Sequence, residues 1–404
     1  MWTLIAKNKV LGAICLIIPF VMVSSLVMPA LSLQSPQIIQ SNGSINYQLK
    51  FLYGVCAHPW ALTERDFQEM QKLGVKYVRM DFSWSEIEPV ENSFHYSKYD
   101  VFVVWARAYG IEIIPCLLHI PSWFPGGGDV NIPPYGADFD KLVTKFGQFT
   151  YNVVARYKAD ITYFEVWNEP DVPQFWRDPD GTRYRDFIHG EAIRKYTMLL
   201  NEAYTQAKAA NPNCVIISGG IANDVNYLRG MYSYGAKFDM LGAHPYFVHS
   251  PTKNYDVDYI DPKGHEYQFP KIQYLRDIMV ANGDSNKKII ITEIGIDDQL
   301  CPEHTTPPPS SPAPEGHTTE EMQADRLTRV FEKTLTEYPW IIGIMWYQLK
   351  DTHKAFGSVP VTSSNWGLFR MNGKWDPDYP NVVDYTPRLM YYAYKQFIET
   401  HNTP

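Results

Sequence analysis

Two textures of hydrophobic pattern alternate along most of the chain. Short apolar runs rich in β-branched residues occur at 51–57, 76–82, 112–119, 162–168, 214–220, 238–244, 288–294 and 341–348. Between them lie longer stretches whose apolar residues return every three or four positions, at 64–73, 99–109, 139–156, 185–210, 227–234, 272–282 and 319–338. The first of these carries Phe67, Met70 and Leu73 on one helical face. Largely apolar strands alternating with amphipathic helices predict an α/β fold, a parallel sheet covered by helices. Eight such strands predict closure into a (β/α)8, or TIM, barrel as a single domain. A doubly wound open sheet is the competing arrangement. No Gly-rich phosphate-binding turn follows the first run, which weakens it.

The first residues follow another pattern. Lys7 and Lys9 precede a charge-free stretch from Val10 to Leu33. A basic region before an apolar one is a secretory pattern, and Ala30-Leu31-Ser32 offers a small-residue cleavage site. The stretch is also long enough to cross a bilayer as an uncleaved anchor. Residues 1–33 are therefore expected to be a signal peptide or signal anchor, 34–47 a polar tether, and 48–404 the folded domain. Lys7 and Lys9 predict that the remainder is translocated, either secreted or held at the membrane.

Composition narrows the functional classes. A hydrophobic fraction of 45% and a charged fraction of 20% are globular values. The net charge of −8, without any Lys/Arg run, argues against a nucleic-acid partner. The five cysteines form neither a C-x-x-C nor a Cys/His zinc spacing, so no disulfide framework, metal or cofactor is expected. The chain is expected to be a monomer. Long connections at 250–265, 297–318 and 350–384 follow strand ends, on the face where barrel active sites lie, and are expected to wall a cleft.

The chemistry concentrates at those strand ends. Trp167-Asn168-Glu169-Pro170 closes the fourth run, and Thr292-Glu293-Ile294-Gly295 the seventh. Glycoside hydrolysis needs two carboxyl groups flanking the scissile bond, one protonated and one ionised. Strands four and seven face each other across a barrel mouth. A lone Glu at a strand end is more often a solvated charge, so the weight falls on its neighbours. The second run carries Arg79 and the eighth Trp346, the third ends at His119, and the sixth ends at His244 with Tyr246 just beyond; polar groups in apolar strands require partners. Arg79 is expected to pair with Glu293, and Tyr246 to hydrogen-bond it. Trp346 is expected to form the floor on which a sugar stacks. Glu165 is expected to be a structural ion-pair partner of Arg79. His58, Trp123, Trp176 and Trp366 are candidates for further sugar contacts, with core or loop packing as the alternative. Glu86 and Glu88 could line a distal subsite or be solvated.

The set Arg79, His119, Asn168, Glu169, His244, Tyr246, Glu293 and Trp346 resembles the shared active-site pattern of clan A glycoside hydrolases. Within it, Phe164-Glu165-Val166-Trp167-Asn168-Glu169-Pro170-Asp171 is most similar to family 39, with the cellulase-like family 5 second. The resemblance covers about residues 48–400. It implies a retaining glycosidase with Glu169 as acid/base and Glu293 as nucleophile, acting on an oligosaccharide or polysaccharide, with an exopolysaccharide as the expected substrate. A transglycosylase or β-xylosidase-like enzyme with the same residues, or a non-catalytic glycan-binding barrel, are the competing functions.

Overall fold

The computed structural model describes residues 50–124, 137–176, 190–222, 224–247, 257–258, 268–296, 319–351, 366–370 and 385–401, together with a few short strand pairs. The chain divides into two units, Met1–Leu49 and Lys50–Pro404. In the first, Gln40–Ser41 pairs antiparallel with Ser44–Ile45. The expected signal segment, its cleavage site and most of the long 250–265, 297–318 and 350–384 connections lie outside the described residues. Among the described residues no helix is long and apolar enough to cross a membrane.

The second unit is a closed parallel barrel. Its strands are β1 (Leu52–Cys56), β2 (Tyr77–Ser83), β3 (Glu112–Leu118), β4 (Tyr163–Val166), β5 (Val215–Ser218), β6 (Met240–Ala243), β7 (Lys288–Ile294) and β8 (Ile341–Trp346). Each pairs with the next, and β8 pairs with β1 to close the ring. The major helices are α1 (Glu64–Leu73), α2 (Ser97–Tyr109), α3 (Ala137–Tyr157), α4 (Glu191–Ala210), α5 (Asn226–Ser233), α6 (Ile272–Ala281), α7 (Glu320–Glu337) and α8 (Leu389–His401). The predicted (β/α)8 architecture is therefore present. The helix α8, absent from the pattern-based expectation, completes the eighth unit.

Strand alternation divides the apolar residues into two layers. Leu52, Cys56, Ile114, Ile217, Ile290, Ile342 and Met345 fill the barrel's interior, with Tyr77, Tyr163 and Tyr347 packed against them. Tyr53, Val78, Phe82, Phe164, Ile289, Ile291 and Trp346 face outward into the layer shared with the helices. Local chemistry sets the helix ends. Thr63 and Asp66 form a capping box at the start of α1, and Gly74 ends it with φ 96°, a left-handed conformation that glycine adopts without a Cβ clash.

Buried ion pairs fasten the segment after β8. Lys350 binds Asp66 of α1 at 2.8 Å. Arg388 binds Asp351 at 2.9 Å and donates to the Gly367 carbonyl at 2.8 Å. These contacts anchor the stretch that carries Trp366 at the barrel rim.

Candidate active site

The alternation that sorts the core also aims the polar residues. On β2, Tyr77 faces the barrel interior, so Arg79 two residues later faces it as well. On β4 the same step from Tyr163 brings Glu165 inward. Arg79 and Glu165 are almost wholly buried and form an ion pair through the guanidinium Nε. The rest of the guanidinium is also committed. Nη1 donates to Glu293 Oε1 at 2.5 Å and Nη2 to Asn168 Oδ1 at 2.8 Å. Arg79 thus binds the ends of β4 and β7 from β2, a geometry suited to its rigid planar fork.

Glu293 reaches the interior by a departure from regular pairing. Against β8, Ile344 pairs with Ile291 but Trp346 pairs with Ile294, so the register shifts between them. Ile291 and Ile294 both face the helices. The two intervening residues, Thr292 and Glu293, both turn to the barrel's inside, as a bulge allows. Tyr246 donates its hydroxyl to Glu293 Oε2 at 2.7 Å.

Glu169 stands opposite, at the end of β4. The backbone there leaves the strand sharply, with positive φ at Trp167 (71°) and Glu169 (41°). Such conformations persist only where the surroundings hold them. Tyr196 accepts from the Gly219 amide and donates to the Val166 carbonyl, and Trp167 is locked by its Nε1 bond to the Phe175 carbonyl at 3.0 Å. Asp171 accepts from the amides of Ala222 and Asp224, tying this turn to the loop after β5. Glu169 Oε1 lies 2.8 Å from His244 Nδ1. One donor atom each from Glu169, His244 and Glu293 all fall within 4.8 Å of one another. A cation could bridge such a trio; here the Arg79 guanidinium already supplies positive charge to Glu293.

The two carboxyl groups are driven apart in acidity. Burial raises Glu169 above the ordinary carboxylate range, and the neighbouring Glu293 charge adds to this; the His244 contact only partly offsets it. Burial acts on Glu293 in the same direction, but His244, Arg79 and the Tyr246 hydroxyl outweigh it and hold Glu293 below that range. Burial depresses His244, yet the charges of Glu293 and Glu169 outweigh it and leave the imidazole raised. A pair of carboxyls pushed in opposite directions is the signature of an acid and a base assigned by environment.

The other expected residues follow the ends of strands, and His119 and Trp123 contact the segment after β2. His58 Nε2 lies 3.1 Å from the Tyr347 hydroxyl, and His119 Nδ1 lies 3.2 Å from Ser83 Oγ. Trp366 stands edge-on to Tyr246 and Tyr347, with ring centroids 5.7 and 5.8 Å away. Trp123 is half-buried against Trp84 and donates to the Glu88 carbonyl at 2.6 Å.

Two expectations are corrected. Trp346 is not the floor of the site: it is fully buried and packs on Phe331 in the barrel–helix layer. Between the inward Met345 and Tyr347, period two turns it outward, and Tyr347 takes the inward place. Trp176 is not a stacking platform either. It is fully buried between Trp167 and Tyr196 and donates to the Ala192 carbonyl at 2.9 Å. Glu86 is bound by Lys98 at the start of α2, and Glu88 by Trp84 Nε1. Thr292, which accompanies Glu293 into the interior, was not expected at the site; its place depends on the bulge.

Comparison with known proteins returns the same barrel fold. The β-galactosidase family model of glycoside hydrolases matches residues 57–124. A family 39 glycoside hydrolase from the gut symbiont Bacteroides cellulosilyticus WH2 superposes with a TM-score of 0.63 at 20% identity, covering 86% of this chain and 63% of that one. What the two chains share is the barrel fold. A β-glucosidase from Thermotoga maritima has the same barrel, with a TM-score of 0.60 at 14% identity, covering 86% of this chain and 97% of that one. In sequence, a chloroplastic β-glucosidase-like protein of Oryza sativa subsp. japonica is 23% identical over 206 residues, which is 44% of this chain and 30% of the rice protein. The chain thus spans under a third of that relative's length. Its likeness to the glycosidase barrels, family 39 among them, matches the resemblance read from the residues.

Proposed function

We propose that this protein is a retaining glycoside hydrolase that cleaves β-linked oligosaccharides or polysaccharides by double displacement. The observation that carries the reading is the approach of Glu169 and Glu293, one carboxyl oxygen of each lying within 4.8 Å of the other. Retaining enzymes hold their carboxyl groups about 5–5.5 Å apart, whereas inverting enzymes leave roughly 6.5–9.5 Å for a water. The β-linkage is favoured by the β-galactosidase model match and the β-glucosidase likenesses.

In the first step the ionised Glu293 attacks the anomeric carbon. The glycosidic C–O bond breaks and its electron pair passes to the leaving oxygen, which takes the proton of Glu169. Arg79 and Tyr246 hold Glu293 charged and aimed. In the second step Glu169, now a carboxylate, takes a proton from water as the water attacks the same carbon. Glu293 is released and the anomeric configuration is retained. Trp366, Tyr347 and His58 line the approach and suit a sugar ring that presents an apolar face and hydroxyls.

An exported location accompanies this reading, supported by Lys7, Lys9 and the charge-free stretch that follows. A glycan outside the membrane, including an exopolysaccharide, is the substrate class that fits it. The test is hydrolysis of a panel of aryl β-glycosides and polysaccharides, with the first-formed anomer read by NMR. Retention is expected, and Glu293→Ala should abolish turnover. Inversion, or full activity in that variant, would contradict the reading.

A further inference from the structure

We propose that Thr292 and Glu165 are positioning residues that fix the tautomer of His244, so that His244 and Glu169 hold a single proton between them. Glu165 gives Oε2 to the Arg79 ion pair, and as a salt-bridged carboxylate it can only accept hydrogen bonds. Its Oε1 lies 2.8 Å from Thr292 Oγ1, so Thr292 spends its one hydroxyl hydrogen there. The same hydroxyl lies 3.0 Å from His244 Nε2. With its hydrogen already donated, Thr292 must accept from Nε2–H. The imidazole therefore keeps its Nε2 proton, and only Nδ1 is left to titrate.

Nδ1 faces Glu169 Oε1 at 2.8 Å. That contact requires one proton, carried either by the carboxyl or by the ring. Were it lost, two acceptors would face each other at hydrogen-bonding distance. The ring cannot swing away, because Gly220 packs so closely on it that a Cβ there would sit 2.2 Å from the imidazole atoms. The charged and titratable groups facing His244 are Glu165 from β4 and Glu169 just beyond it, Glu293 from β7 (3.8 Å from Nδ1), Arg79 from β2 and Tyr246 from its own segment. The pair consequently exchanges its proton as one unit. The proton passed to the leaving oxygen is this shared one.

The consequence for turnover rests on the glycosidase reading; the tautomer does not. Without the Thr292 hydroxyl, the imidazolium sheds its Nε2 proton first. What remains is a neutral Nδ1–H imidazole beside an ionised Glu169, far too weak an acid to protonate a glycosidic oxygen. The test is 15N NMR of histidine-labelled full-length protein without substrate, with the His244 signals assigned through a His244→Gln variant. The wild type is expected to show Nε2 protonated throughout, with Nδ1 alone titrating. Thr292→Val is expected to show Nδ1–H in the neutral ring, and Thr292→Ser to restore the wild-type pattern. On substrates with poor leaving groups, Thr292→Val should lose about tenfold or more in kcat at unchanged KM, within the range of general-acid contributions. Its basic limb should move to lower pH. Neutral wild-type His244 protonated on Nδ1, or a Thr292→Val spectrum like the wild type, overturns the proposal. If the wild type gives the expected spectrum but cleaves no glycoside, the tautomer assignment is supported and the glycosidase reading fails.

Discussion

Tyr246 donates its hydroxyl to Glu293 at 2.7 Å, on the oxygen that Arg79 leaves free. The carboxylate is thus held from two sides, by a donor on β2 and a donor just beyond β6. A hydrogen bond to a charged group is worth about 1.5–3 kcal/mol. Tyr246→Phe removes one donor and keeps the ring against Trp366. We expect kcat/KM to fall by about ten- to a hundredfold, the equivalent of that energy. Glu293 loses a contact that favours its ionised form, so the acid limb of the pH profile should move to higher pH. Steady-state kinetics across pH, with circular dichroism to confirm folding, checks both.

The opposed shifts of the two carboxyls predict a bell-shaped pH dependence. Glu293 must be ionised to attack and is held below the ordinary carboxylate range, so activity falls only as pH drops through that depressed value. Glu169 must be protonated to donate and is raised, so activity falls again as pH rises past its value. Glu169→Gln should abolish the basic limb for substrates with activated leaving groups, which need no proton. Those substrates should keep substantial first-step activity, while alkyl glycosides lose about 100-fold or more. Rate profiles on both substrate types decide it; equal loss on the two would refute the acid role.

The two tryptophans near the end of the barrel should separate cleanly. Trp346 is fully buried against Phe331, so Trp346→Ala leaves a cavity and should cost about 3–5 kcal/mol of stability. Trp366 is only partly buried beside Tyr246 and Tyr347. Trp366→Ala should raise KM with a much smaller change in urea midpoint. Denaturation curves and kinetics on the same pair of variants check the assignment.

The sequence pattern makes the barrel legible because its strands are short, apolar and separated by helices of clear period. The paired carboxylates are legible too, since each closes an apolar run beside polar residues that a buried strand would not otherwise tolerate. Trp346 shows where strand ends alone mislead: only the two-residue alternation between Met345 and Tyr347 says which way it faces. The placement of Thr292 beside Glu293 depends on a bulge created by pairing with β8, and nothing local in Ile291-Thr292-Glu293-Ile294 announces it. Helix α8 is obscured for another reason. Tyrosines lie on both its faces, Tyr391 and Tyr394 buried and Tyr392 exposed, which blurs the amphipathic period.

Double displacement requires Glu293 to form a covalent bond with the sugar. The most direct measurement is mass spectrometry of the full-length protein after incubation with a 2-deoxy-2-fluoro aryl glycoside of the best-cleaved sugar. The fluorine slows both steps, and the activated leaving group lets the first outrun the second. One added glycosyl unit per chain is expected, located on the peptide containing Glu293 and absent in Glu293→Ala. Burst-free turnover with no adduct, or an adduct on any other residue, would contradict it.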